Sequence, residues 1–127
     1  MGYRKNVPAT ARNEAQLQSQ IWKAIIGLSP NAWIFHPVGG PYQTPGIPDL
    51  LVCVDGLLIG MEIKHQKPGE SVEHARSRAT PQQRKQIRLI NNAGGVAGVV
   101  TSVAEAIDMI RRAYVKHEAL MREKERS

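Results

Sequence analysis

Apolar residues at Leu17, Ile21, Ile25 and Leu28 recur every three or four positions, which predicts an amphipathic helix from Asn13 to about Leu28. Pro30 and Asn31 stop it, and Ala32 to His36 reads as a short strand. The stretch PVGGPYQTPGIP, Pro37 to Pro48, is punctuated by Gly and Pro and reads as a loop. Two apolar runs follow, Asp49 to Val54 and Leu57 to Lys64, joined by Asp55-Gly56, a strong two-residue hairpin signal. His65 to Ala79 is polar, charged and aperiodic, so a long loop is expected there, of the kind that is often functional.

Thr80-Pro81 opens a second long helix, with Thr as N-cap and Pro at the first helical position. Ile87 and Ile90 line one side of it, and Gly94-Gly95 ends it. Val96 to Val100 is a short apolar strand. Ser102 and Glu105 have capping-box spacing and start a last helix through Val103, Ala106, Ile107, Ile110 and Tyr114. The tail KHEALMREKERS, residues 116–127, prolongs that helix or frays. The predicted order is α-β-β-β-α-β-α, an α/β fold with a mixed sheet flanked by helices. The Val96 strand follows a helix, so it is expected to join the sheet in parallel through a crossover.

The hairpin brings chemistry together. Glu62 and Lys64 are two apart in one strand and so project to the same face, away from Met61 and Ile63. Counted outward from the Asp55-Gly56 turn, Asp49 and Glu62 are equidistant and should be neighbours across the ladder. Two carboxylates side by side in a largely apolar sheet repel, and one pKa rises. A hard divalent cation such as Mg2+ relieves that repulsion, and a lysine beside it can hold a water or a phosphate oxygen. The plainer reading is that Asp49 opens a strand after Pro48 while Glu62 and Lys64 form a solvated pair.

Composition narrows the class. The 127 residues fit one domain, and 42% hydrophobic with 22% charged residues excludes a disordered body. No apolar run has the roughly 20 residues of a membrane span. The first residues, MGYRKNVPATARNEAQ, contain no apolar h-region, so no secretory signal is expected. Residues 1–12 read as a loose basic arm. A single cysteine, Cys53, excludes a disulfide framework and suits a reducing cytoplasmic interior, the nucleoid included. Seventeen Lys and Arg against 11 acids give +6, a charge that suits a polyanionic partner.

Gly46-Ile47-Pro48-Asp49-Leu50-Leu51 followed by Met61-Glu62-Ile63-Lys64 resembles the PD-(D/E)XK nuclease superfamily, and more closely its VRR-NUC domain. Further matches are Thr80-Pro81-Gln82-Gln83, Ile87 and Ile90, Gly94, the Val96 strand with Thr101-Ser102, and Glu14 with Gln18 on the first helix. The likeness runs from about Glu14 to Ile110, within a domain set at residues 13–115. It implies a restriction-endonuclease-like core and a Mg2+-dependent deoxyribonuclease, with Mn2+ as a substitute. Asp49 and Glu62 would hold the metal, with the Ile63 carbonyl as a further ligand. Lys64 would position or activate the attacking water. Glu14 would bind or orient near the metal, directly or through water, and Gln83 would contact DNA or the lysine. Two of these have rival readings. Glu14 also suits the helix dipole as a first-turn carboxylate, and Gln83 also completes a capping box with Thr80.

From Lys64 to Arg88, the cations Lys64, Lys67, Arg76, Arg78, Arg84, Lys85 and Arg88 oppose Glu70 and Glu73, a net +5. That is the footprint of phosphate-backbone binding, and Lys67, Arg76, Arg78, Arg84, Lys85 and Arg88 are the DNA-binding candidates. No major-groove motif is present, so shape is the expected cue. His36, His65, His74 and His117 lack zinc spacing, although His36 and His65 flank the site. Cys53 reads as core, and Trp22 and Trp33 as packing residues rather than base-stacking platforms.

Small stand-alone proteins of this kind resemble phage and archaeal junction resolvases, which implies a homodimer on four-way (Holliday) junctions. Two paired incisions need two sites, and an isologous dimer supplies them. Trp22 and Ile26, and the region around Trp33 and Phe35, are candidate interfaces. The alternatives are a monomeric flap or nicking nuclease, and a DNA-binding module with a vestigial site. Glu118, Glu123 and Glu125 among the tail's cations speak against a membrane surface.

Overall fold

The computed structural model describes residues 10–126, and the expected arm lies outside them up to residue 9. In chain order the elements are α1 (Glu14–Leu28), β1 (Trp33–Phe35), β2 (Leu50–Val54), β3 (Leu57–Ile63), α2 (Val72–Ser77), α3 (Pro81–Asn92), β4 (Val96–Val100) and α4 (Val103–Arg126). The strands form one mixed sheet in the order β1-β2-β3-β4, with β4 alone parallel to its neighbour. This is the α/β architecture the sequence predicts, crossover included.

Local chemistry explains most element ends. Asn13 caps α1 by accepting the Gln16 N–H. Asp55 (φ 50°) and Gly56 (φ 79°) both take positive φ, as the hairpin's mirror-image turn demands. Thr80 and Gln83 form a reciprocal capping box on α3. The Ser102–Glu105 box is only half made. Ser102 Oγ accepts the Glu105 N–H, but the Glu105 carboxylate takes the N–H and hydroxyl of Thr101 instead of turning back to Ser102.

Other boundaries differ. β1 is shorter than Ala32–His36, β2 starts after Asp49, and β3 ends before Lys64. The segment from His65 to Ala79 contains α2, capped by Ser71, whose six residues are too few to show a period and bury only Ala75. The tail continues α4 as helix to Arg126. Ala11 is buried and its carbonyl meets His65 Nε2 at 2.7 Å, so the chain is already packed at residue 11.

The two sheet faces are covered unequally. On one, Leu50, Val52, Ile59, Met61, Ile63 and Val100 pack against Leu17, Ile21 and Ile25 of α1 and Met109 and Ile110 of α4, making the core. On the other, α3 lies over β3 and β4. Gly60 admits the Ile90 side chain there, since a Cβ would stand 3.1 Å from Ile90 Cδ1. Among the described residues no helix lies over the β1–β2 half of that face. Trp33 and Phe35 stay exposed, and Cys53 is half-buried rather than core. At the far edge, the Asn91 amide pairs with the N–H and C=O of Ala97, blunting the open strand. No helix among the described residues is long and apolar enough to cross a membrane.

Candidate active site

Asp49 enters the site because Pro48 ends the loop and β2 begins one residue later. The ladder pairs Leu50 with Met61, and one further step in that register sets Asp49 against Glu62. Where β2 has run out, Asp49 Oδ2 accepts the Ile63 N–H at 2.8 Å in place of a strand carbonyl. On its other side β3 keeps its pairing one residue longer, through Lys64 N–H to the Val100 carbonyl at 3.1 Å. Lys64 is thus held at the end of the ladder.

Glu62 is only 2% exposed. Its Oε2 receives Lys64 Nζ at 3.3 Å and Gln83 Nε2 at 2.9 Å. Its Oε1 is buried with no hydrogen-bond partner. Burial first, and Asp49 second, push the Glu62 carboxyl up to about 8, with Lys64 pulling against them. An unpaired buried carboxylate oxygen costs more than a net hydrogen bond is worth, so such an atom calls for an explanation.

Gln83 completes the expected capping box, and its other end goes to Glu62 rather than to the lysine. Its Oε1 accepts the Thr80 N–H at 2.9 Å as the cap requires, while its Nε2 reaches Glu62. The loop before Asp49 braces this helix start. Gly46 (φ 86°) lies so close that a Cβ there would stand 2.3 Å from the carbonyl carbon of Gln82 and 2.7 Å from Gln83 N. The sequence marks Gly46 within G-x-P-D but gives no sign of which backbone it meets.

The structure brings Asp49, Glu62, Lys64 and Gln83 together. Glu14 stays apart. Its carboxylate, half-exposed in the first turn of α1, pairs with Arg78 Nη1 at 3.3 Å. Its partner is Arg78 rather than Asp49 or Glu62. Arg78 also grips Glu70 through two hydrogen bonds of 3.0 and 3.1 Å and the His65 carbonyl at 2.5 Å. That network, which holds Glu70 down at about 2, was invisible in the sequence because it joins α2's flanks to α1. Arg76 pairs with Glu105, and Arg84 reaches the Ser77 carbonyl. Lys67, Lys85 and Arg88 are exposed. His36 Nδ1 meets the Asp49 carbonyl at 2.8 Å, and His65 is tied to Ala11.

Among the described residues no three His, Cys, Asp or Glu side chains cluster as a metal cage. The donors present are two carboxylates, one with a free buried oxygen, and the backbone beside them. That set fits Mg2+, which is commonly held by one or two carboxylates with water and substrate phosphate completing its shell.

No family model matches the sequence, and no curated protein matches it. Solved structures do. A chain titled "VRR_NUC domain" aligns with a TM-score of 0.59 at 20% identity, covering 80% of this chain and 97% of that one. A second, "VRR_NUC domain protein", gives 0.56 at 20% identity, covering 82% and 89%. With a mixed four-stranded sheet, helices on both faces and 80% of its length covered by the alignment, this chain shares the fold of those VRR_NUC chains, the α/β architecture that its sequence predicts.

Proposed function

We propose that this protein is a metal-dependent DNA endonuclease, hydrolysing phosphodiester bonds at Asp49, Glu62 and Lys64. The observation that carries the reading is the buried, unpartnered Oε1 of Glu62 beside a second carboxylate. Either a proton shared with Asp49 or a cation between the two carboxylates satisfies that atom, and the cation is the one that leaves both carboxylates ionised for catalysis. Asp49, Glu62 and the Ile63 carbonyl would hold Mg2+ or Mn2+. Bound there, the cation would stabilise charge building on the phosphate oxygens. Lys64 holds and orients the attacking water. Gln83 fixes Glu62 through its amide and stands where a substrate phosphate approaches. Glu14, already paired with Arg78, acts at the rim or through water. The fold shared with chains named as VRR_NUC domains supports the nuclease class.

DNA follows from the phosphate chemistry and from the exposed cations beside the site, Lys67, Arg84, Lys85 and Arg88. For branched DNA we infer an isologous homodimer, whose two sites match the two-fold symmetry of a four-way junction. Its surface is the outer face of α1, where Trp22, Ile26 and Leu28 are exposed. Cleavage of four-way junctions, flaps, nicked and linear duplexes in Mg2+, Mn2+ or EDTA tests this, run beside sedimentation equilibrium. The expected result is a dimer that makes paired incisions in junctions fastest. A 14.0 kDa monomer that cuts flaps as fast as junctions would replace the resolvase reading with a flap nuclease. Binding without cleavage in any metal would mark a vestigial site.

A further inference from the structure

We propose that Trp33 and Phe35 form a stacking subsite for unpaired nucleobases of the strand whose phosphate is cut. The proposal rests on the nuclease reading above and adds the part of the substrate that this face recognises.

Both rings are exposed, Trp33 at 55% and Phe35 at 45%, on the half of the sheet face that α3 leaves open. They stack on each other with centroids 5.7 Å apart and planes within 14°. They pair across the ladder with Cys53 and Leu51, so they share a face with Asp49 and Glu62. Phe35 lies opposite Leu51, two residues from Asp49, or about 7 Å along the strand. The hydrogen bond between His36 Nδ1 and the Asp49 main-chain carbonyl ties the end of this strand to the backbone that carries the carboxylate.

Charge decides what the face receives. From Ala32 to Pro48 there is no Asp, Glu, Lys or Arg, whereas the segment from Lys64 to Arg88 leaves Lys67, Arg84, Lys85 and Arg88 exposed. Phosphates are therefore gripped on one flank of the carboxylates, and an uncharged aromatic surface waits on the other. Flat rings without cations suit bases, and stacking tolerates any base sequence. A second copy on this face would crowd the approach to Asp49, whereas the apolar face of α1 lies across the sheet from the site.

The test uses the full chain in EDTA, where no cutting occurs. Trp22→Phe leaves Trp33 as the only tryptophan. The probes are an oligothymidylate and an abasic phosphodeoxyribose oligomer of equal length, followed by anisotropy and by Trp33 emission. Both should bind at low salt, but only oligothymidylate should quench Trp33. Trp33→Ala, in an otherwise unchanged chain, should weaken oligothymidylate about tenfold and leave the abasic oligomer within about twofold, with Trp33→Tyr restoring the difference. The unchanged abasic affinity would certify the variant's fold. Equal quenching by both probes, or equal weakening, would overturn the subsite while leaving the nuclease reading intact. A switch from dimer to monomer in Trp33→Ala would give the face to a second copy. Failure of both oligomers to bind would overturn the subsite, while cleavage of duplex and branched DNA in Mg2+ decides the nuclease reading separately.

Discussion

A carboxyl group that is 2% exposed and set against a second carboxylate ionises reluctantly. Glu62 therefore makes folding itself respond to pH. Its folded value of about 8 stands above the ordinary 4.5, so the native state keeps a proton that the unfolded chain releases. The associated stability is fully present below pH 4.5 and is lost as pH rises toward 8. Without divalent cations, the melting temperature should fall across that window. Glu62→Gln should flatten the fall and be the more stable protein at pH 8. Mg2+ should raise the wild-type melting temperature at pH 8 and leave Glu62→Gln unmoved, because a ligand stabilises only the state that binds it. Parallel pH curves for the two proteins in EDTA would show that Glu62 is not the group under strain.

Among the elements, the start of α3 matters most, because it carries Gln83 to Glu62. Gly46 and Gly56 make a controlled pair there. Both have positive φ, but a Cβ at Gly56 meets nothing within 4 Å, while one at Gly46 runs into the backbone of Gln82 and Gln83. Gly56→Ala should cost about 1–2 kcal/mol, the left-handed penalty alone, with cleavage preserved. Gly46→Ala should cost more and, at temperatures where it stays folded, reduce cleavage at least about tenfold by moving Gln83. Equal losses in both variants, read by melting and by turnover, would deny the loop this role. The contrast also shows what a sequence conveys. The turn at Asp55-Gly56, the cap at Thr80 and the pairing of Asp49 with Glu62 are local or follow from counting, and all were legible. The Gly46 contact, the unpaired Glu62 oxygen and the Arg78 network depend on distant segments meeting. The helix α2 hid because six residues fit no period, and Cys53 and Trp33 misled because apolar residues in strands read as core whether or not a helix covers them.

Across the whole molecule, charge is sorted by structure rather than by composition. Arg76 and Arg78 sit in the basic segment but are engaged by Glu105, and by Glu70 and Glu14. Lys67, Arg84, Lys85 and Arg88 remain exposed. Replacing those four with Gln should lower the log–log salt slope of duplex binding by about 3–4, at roughly 0.9 per phosphate contact. Replacing Arg76 and Arg78 should instead loosen the α2 region with little change in slope. A slope unmoved by the four substitutions would put the DNA on another surface. All of this converges on the carboxylate pair, and the most direct measurement is DNA cleavage by folded Asp49→Asn, Glu62→Gln and Lys64→Ala beside wild type, in Mg2+ and in EDTA. The expected result is wild-type cutting that EDTA abolishes and losses of at least about 100-fold in each variant, with circular dichroism unchanged. Cleavage that survives EDTA, or near wild-type turnover in folded Glu62→Gln, would contradict it.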